Sequence, residues 1–334
     1  MSKPPNEPPT IADIRVAAGR IAGEAVRTPL VASPVLSQRL SGRIFLKCET
    51  LQRTGSFKFR GAYNALAALD PAERCQGVVA VSSGNHAQGV AEAARIFGVA
   101  STIVMPADAP ATKRAGVISR GGRIVDYNRA SEDREAVAAA LIAAQGGVLV
   151  HPFNDSLVIA GQGTIGLEIA EDAERLGFRP DAVLIPCGGG GLSAGIGVAL
   201  RAVAPTTDIL IVEPRGFDDY GRSLAAGAIL ANRAVSGSIC DALLAQAPGP
   251  IGFALNRENL SGALTVNDDE AVAAVAYAAR ALKLVVEPGG AAALAALLAG
   301  GYDCRDKSVV VVLSGGNIDE AMLTRALAIP EASL

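Results

Sequence analysis

Residues 53–62 read RTGSFKFRGA, which sets a single lysine, Lys58, between Phe57 and Phe59 directly after a Thr-Gly-Ser turn. A lysine held among apolar neighbours loses stabilisation of its charged form, so its amine becomes a usable nucleophile near neutral pH. Residues 186–197, PCGGGGLSAGIG, put four successive glycines, Gly188, Gly189, Gly190 and Gly191, between an apolar run and a helical one. Lacking Cβ atoms, they let backbone N–H groups converge, and the positive end of the following helix completes a phosphate cradle. A merely flexible turn would not repay the backbone entropy of four glycines. Neither a Walker loop nor a complete G-x-G-x-x-G pattern is present. Residues 82–89, SSGNHAQG, gather Ser82, Ser83, Asn85 and His86 where a helix opens. These donors suit a carboxylate, and a helix cap with an exposed histidine explains them equally well. Ser314, ending VVVVLS, reads as a helix cap or as a ligand-facing hydroxyl.

The elements that must hold these groups follow from the patterning. From residue 77, short β-branched runs alternate with alanine-rich helical segments, which predicts parallel sheets covered by helices. A second series has strands in AVLIPC (182–187), DILIVEP (208–214) and SVVVVLS (308–314), the last as valine-rich as a strand buried on both faces should be. The fold class expected is α/β, with two open twisted parallel-sheet units and a seam near residues 146–155. Ligands in such folds bind beyond the carboxyl ends of the strands, where SSGN, GGGG and SGGN all fall.

The chain has 334 residues, 30 basic and 33 acidic, for a formal charge of −3, and no like-charge block that would draw nucleic acid or an anionic membrane. A small molecule is the expected partner. Five scattered cysteines without a C-x-x-C pair read as reduced thiols of a cytosolic protein. GGAAALAALLAG (289–300) is too short to span a bilayer and reads as a core helix.

Taken in order, SFKFRGA, SSGNHAQG, HPF, VIAGQGT, CGGGGL, VEP, EPGG and LSGGN resemble the pyridoxal-phosphate (PLP) enzymes of the serine/threonine dehydratase and serine racemase group, of the tryptophan synthase β-like fold, or fold type II. The resemblance implies a large cofactor-binding domain from residues 1–76 and 150–334, with 1–10 as a disordered leader. It implies a small domain, 77–149, carrying the asparagine loop. Lys58 would be the Schiff-base lysine and general base, with Phe57 near the cofactor ring and Asn85 beside its 3-hydroxyl. Gly188 to Gly191 and the Leu192 amide would hold the phosphate. Ser314 would face the pyridine nitrogen, where a hydroxyl leaves the ring less electron-poor than a carboxylate would and favours β-elimination over transamination. Ser82, Ser83, Asn85 and His86 would meet the substrate carboxylate.

On this resemblance the activity is dehydration and deamination of L-threonine or L-serine to 2-oxobutanoate or pyruvate plus ammonia. Ser83 also matches the serine that protonates the opposite face in racemases, whereas Phe153 in HPF looks more like the dehydratases. The alternatives are an amino-acid racemase or 3-hydroxyaspartate dehydratase of the same fold and, outside the enzymes, a PLP or amino-acid binding protein, which would have no need of Lys58. Glu213, Asp219 and the Phe217 carbonyl resemble a structural Mg²⁺ or Ca²⁺ site, the other reading being a solvated acidic loop. Cys240, Asp241 and Ala242 depart from the family's usual Ala-Asp-Gly, placing a methyl near the substrate. A homodimer without a C-terminal regulatory domain is expected. His151 reads as structural, Arg134 as solvated or reaching for a second substrate carboxylate, and Glu287 as a helix-start acid.

Overall fold

The valine-rich runs become interior strands. The computed structural model describes residues 7–109, 111–128 and 131–330, and among these the strands form two sheets. The larger sheet runs β1 (Leu30–Ala32), β2 (Arg43–Cys48), β10 (Ser308–Leu313), β7 (Ala182–Pro186), β8 (Asp208–Pro214), β9 (Gly262–Val266). Its pairs are parallel except at one edge, where β1 lies antiparallel to β2, a departure from the all-parallel expectation. Val309 to Val312 are fully buried because helices cover both faces of β10. The smaller sheet, β5 (Arg123–Tyr127), β4 (Ser101–Pro106), β3 (Val78–Val81), β6 (Val148–Leu149), is parallel throughout.

Of the expected leader, residues 1–6 lie outside the described residues. Residues 7–10 are tied down: Pro9 is buried, the Ser156 hydroxyl donates to the Glu7 carbonyl, and Thr10 caps the Ile11–Ile21 helix in a capping box with Asp13.

What fixes the site is the contact of three helices. The Ser156–Arg175 helix, capped by Asp155, runs between the Lys58–Ala68 helix and the Gly191–Val203 helix. A Cβ on Gly161 would lie 2.6 Å from Gly61 Cα, and one on Gly195 would lie 2.5 Å from Gly163 N. The backbones therefore touch, and no side chain cushions the distance from the lysine helix to the glycine turn. The lysine helix also packs Phe59, Ala62, Tyr63 and Leu66 into one core with Val78, Ala80, Val90 and Ile103 of the smaller sheet and its helix.

Two residues after Lys58, the fully buried Arg60 closes an ionic network. Its guanidinium grips Glu49 with Nε and Nη2 at 2.9 and 2.8 Å and donates to Glu168 at 2.6 and 2.9 Å. Lys47, also fully buried, donates to Glu168 at 2.5 Å and to the Thr28 carbonyl at 2.7 Å. Each buried charge thus has partners, without which it would be strongly destabilising. The network ties β2 and the Ser156–Arg175 helix to the start of the lysine helix.

Candidate active site

The carboxyl ends of β7 and β10 are neighbours in the larger sheet, so the turn after β7 and Ser314 after β10 emerge side by side. The start of the lysine helix is stitched to them: Ser56 bridges Gly315, and the Phe57 N–H donates to the Ser314 carbonyl at 3.1 Å. The loop after β3 closes the opposite side. One cavity is the result, lined by Phe57, Lys58, Ser82, Ser83, Asn85, His86, the four glycines, Leu192 and Ser314.

Lys58 is the first residue of its helix and points into this cavity, its Nζ donating to the Pro152 carbonyl at 2.7 Å and lying 5.1 Å from the Phe57 ring centre. Burial lowers its pKa from 10.5 to about 8, as the apolar flanks suggested. The glycine turn meets close walls on every side. A Cβ would lie 3.1 Å from the Leu243 backbone at Gly188, 2.4 Å from the Phe153 ring at Gly189, 2.2 Å from the Tyr220 ring at Gly190 and 2.9 Å from the Phe153 backbone at Gly191. Gly190 has φ +87°, and as N-cap of the Gly191–Val203 helix it supplies no side chain to the free N–H groups. A buried, uncapped helix start needs an acceptor from elsewhere, and a phosphate fits it.

The Asn85–Phe97 helix starts in the same way, with Gly84 as N-cap and no capping side chain. Asn85 is held at both ends: its Oδ1 accepts from Asn317 Nδ2 at 2.7 Å and its Nδ2 donates to Glu287 Oε1 at 2.5 Å. One amide hydrogen remains for a ligand. Ser82 Oγ accepts from the Gly84 N–H at 3.2 Å, and Ser83 lines the cavity half-buried.

His86 differs from the expected ring donor. It is buried, its Nε2 is 2.8 Å from the Val150 carbonyl, and burial followed by the Lys58 charge lowers its pKa to about 3. A neutral ring must donate from Nε2 to that carbonyl, which leaves Nδ1 an unpartnered acceptor. At this position the backbone N–H, not the imidazole, is the group suited to an anion. His151 is structural, its Nδ1 accepting from the Asn154 and Phe153 N–H groups at 2.8 and 3.3 Å. Phe153 serves as the wall behind the glycines.

Glu287 is the functional candidate that sequence reasoning underrated. As N-cap of the Pro288–Leu298 helix it makes no side-chain cap and turns to Asn85 instead, and burial, reinforced by the Asp241 charge, raises its pKa to about 7. Lys113 and Asp241, which form an ion pair, and the half-exposed Arg134, 3.5 Å from Glu135, also line the cavity. Ala242 also lines the cavity.

Glu213, Phe217 and Asp219 lie apart from these walls. Glu213 Oε1 and Oε2 accept from the Tyr220 and Gly221 N–H groups at 2.9 and 2.8 Å, and burial raises its pKa to about 8. Asp219 Oδ1 accepts from Asn232 Nδ2 at 2.6 Å, while its buried Oδ2 has no partner. Both carboxylates are fully buried, so the solvated-loop reading is set aside. Among the described residues no group of three or more His, Cys, Asp or Glu side chains is placed to hold a metal ion. The five thiols are unpaired, all buried but Cys75.

A two-sheet α/β fold in which a lysine of lowered pKa shares one cavity with a glycine turn at a bare helix start suits a cofactor-dependent enzyme. Comparison makes the assignment: residues 21–315 match the family described as pyridoxal-phosphate dependent enzymes, and the chain belongs to that family. It is 41% identical over 311 residues to an L-threo-3-hydroxyaspartate ammonia-lyase of Saccharomyces cerevisiae, covering 93% of this chain and 94% of that one. The solved T.th. threonine deaminase is 45% identical with a TM-score of 0.89, over 93% of this chain and 99% of that one. Maize serine racemase is 36% identical with the same TM-score, over 96% and 97%.

Proposed function

We propose that this protein is an L-threonine and L-serine ammonia-lyase in which Lys58 moves the α-proton. The observation that carries the reading is the meeting, in one cavity, of a lysine whose pKa is lowered to about 8 with two uncapped helix N-termini. One N-terminus suits the cofactor phosphate and the other the substrate carboxylate. When bound, PLP supplies an electron sink for the pair released as the α C–H bond breaks. Lys58 Nζ takes that proton and passes it to the β-hydroxyl, which departs as water, and hydrolysis of the freed enamine through its imine form gives the oxo acid and ammonia. The Asn85 and His86 N–H groups, with Ser82 and Ser83, orient the carboxylate. Asn85, held by Glu287 and Asn317, would offer its remaining N–H to the cofactor. Ser314, which lines the same cavity, would face the pyridine nitrogen of bound PLP.

A second reading, 3-hydroxyaspartate as substrate, is favoured by Arg134 and Lys113 in the cavity wall, where a second carboxylate would lie. Purified holoenzyme is incubated separately with L-threonine, L-serine, D-serine and L-threo-3-hydroxyaspartate, recording oxo acid, ammonia and the remaining enantiomer. Lysine-dependent oxo acid from threonine or serine is expected. Turnover of hydroxyaspartate alone, abolished in Arg134→Ala, would replace it with the second reading, and dominant D-product would point to Ser83 and racemisation. Absence of any turnover in cofactor-loaded protein would favour a binding protein.

Asp219, with its free oxygen, Glu213 and the Phe217 carbonyl are the oxygen donors that would hold Mg²⁺ or Ca²⁺ as a structural ion. Chelation should then lower the melting temperature without changing the PLP absorbance. A homodimer would cover exposed Val26, Val31 and Val35 around the edge strand β1, and light scattering checks it.

A further inference from the structure

The cradle's N–H groups are aimed from behind. In a trans peptide the C=O of one residue and the N–H of the next point in opposite directions, so fixing a carbonyl fixes the following donor. The Gly189 carbonyl accepts from the Gly249 N–H at 3.1 Å, just before the Pro250–Asn259 helix. The Gly190 carbonyl accepts from Asn256 Nδ2 at 3.2 Å, near the other end of that helix, and from Ser193 Oγ and the Ala194 N–H. Asn256 is fully buried, and its Nδ2, with two hydrogens shared among these acceptors, also lies 2.9 Å from Ser193 Oγ and 2.8 Å from Tyr220 Oη, while its Oδ1 has no partner. Tyr220, also fully buried, fills the space a Gly190 side chain would need, and its own N–H is anchored on Glu213.

We propose that Asn256, backed by Tyr220, is a positioning residue for the cofactor phosphate: the Pro250–Asn259 helix splints the glycine turn so that the Gly190 and Gly191 N–H groups face the cavity. This rests on the cradle reading of Gly188 to Gly191. No reaction step passes through Asn256, so its effect should appear in binding of the phosphate and not of the ring.

The test compares apo protein binding PLP with apo protein binding pyridoxal, which has the ring and aldehyde but no phosphate, together with the ³¹P resonance of bound PLP. Asn256→Leu keeps the volume and removes the donor. It should weaken PLP about tenfold, as for a lost buried hydrogen bond, leave pyridoxal unchanged and move the ³¹P resonance. Tyr220→Phe, which removes one oxygen, should do the same about threefold. Equal losses for both ligands, or an unchanged preference and resonance in folded Asn256→Leu, would overturn the proposal. If Asn256→Leu does not fold, an unchanged preference in Tyr220→Phe overturns it. Wild-type protein that binds pyridoxal as tightly as PLP would instead refute the cradle reading itself.

Discussion

Two helices begin at the cavity with a glycine as N-cap, at Gly191 and at Asn85, and their surroundings are built in opposite ways. Behind the first, Leu243, Phe153 and Tyr220 occupy the place of every missing Cβ, and the carbonyls are tied to another helix. Before the second, a Cβ on Gly84 would meet nothing within 4 Å, and Ser82, Ser83 and Asn85 are only half-buried. A tightly walled N-terminus is preorganised and holds an anion that stays. An open one leaves room for a carboxylate that enters and departs with each turnover. On the proposed assignment the same device would serve cofactor and substrate, with packing density separating the two uses.

Lys58 stands between the two, and its loss has the largest expected effect: Lys58→Ala should lower oxo-acid formation by a thousandfold or more, to about the limit set by loss of a proton-transfer group. Glycine replacement breaks the comparison most directly. Gly190→Ala meets the Tyr220 ring at φ +87° and should cost about 1–3 kcal/mol in apo stability along with PLP affinity, read by thermal melts and titration. Gly84→Ala should cost under about 1 kcal/mol, because its Cβ meets open space. Equal costs at the two glycines would show that both termini are walled alike.

The pH dependence of cofactor capture sharpens the role of the lysine. Because its pKa is lowered to about 8, Lys58 is protonated below that pH and nucleophilic above it. Capture of PLP by apo protein should therefore rise about tenfold per pH unit up to pH 8 and then level, followed by absorbance. A rise continuing toward 10.5 would mean that the amine is not shielded. The smallest effect is expected at the open terminus. Glu287, raised to about 7, is ionised above that pH, and Glu287→Gln keeps an acceptor for Asn85 but cannot titrate. It should flatten the kcat profile around pH 7, holding it at the level the wild type reaches once Glu287 is protonated, less than about threefold below the wild-type value at pH 8.

The residues legible in the sequence were those whose chemistry is local. Lys58 between two phenylalanines, four glycines after a strand and the Ser-Ser-Gly-Asn-His loop each carry their meaning within a few residues, and the fold brings all three to one cavity. The strands β1, β2 and β9 were not read: β1 is three residues long, β2 carries Lys47, and β9 alternates too weakly. Lys47 is tolerated in a buried strand only because Glu168, 121 residues away, accepts its charge. Glu287 passed as a helix-start acid because its partner Asn85 is 202 residues distant. His86 looked like a donor until Val150 took its Nε2. By itself, then, the sequence determined the reactive types and the local turns that present them, since backbone freedom and helix starts depend on near neighbours. Only the tertiary structure decided which charges are paired, which pKa values move and which helix start is walled, because burial and long-range hydrogen bonds arise when distant segments meet.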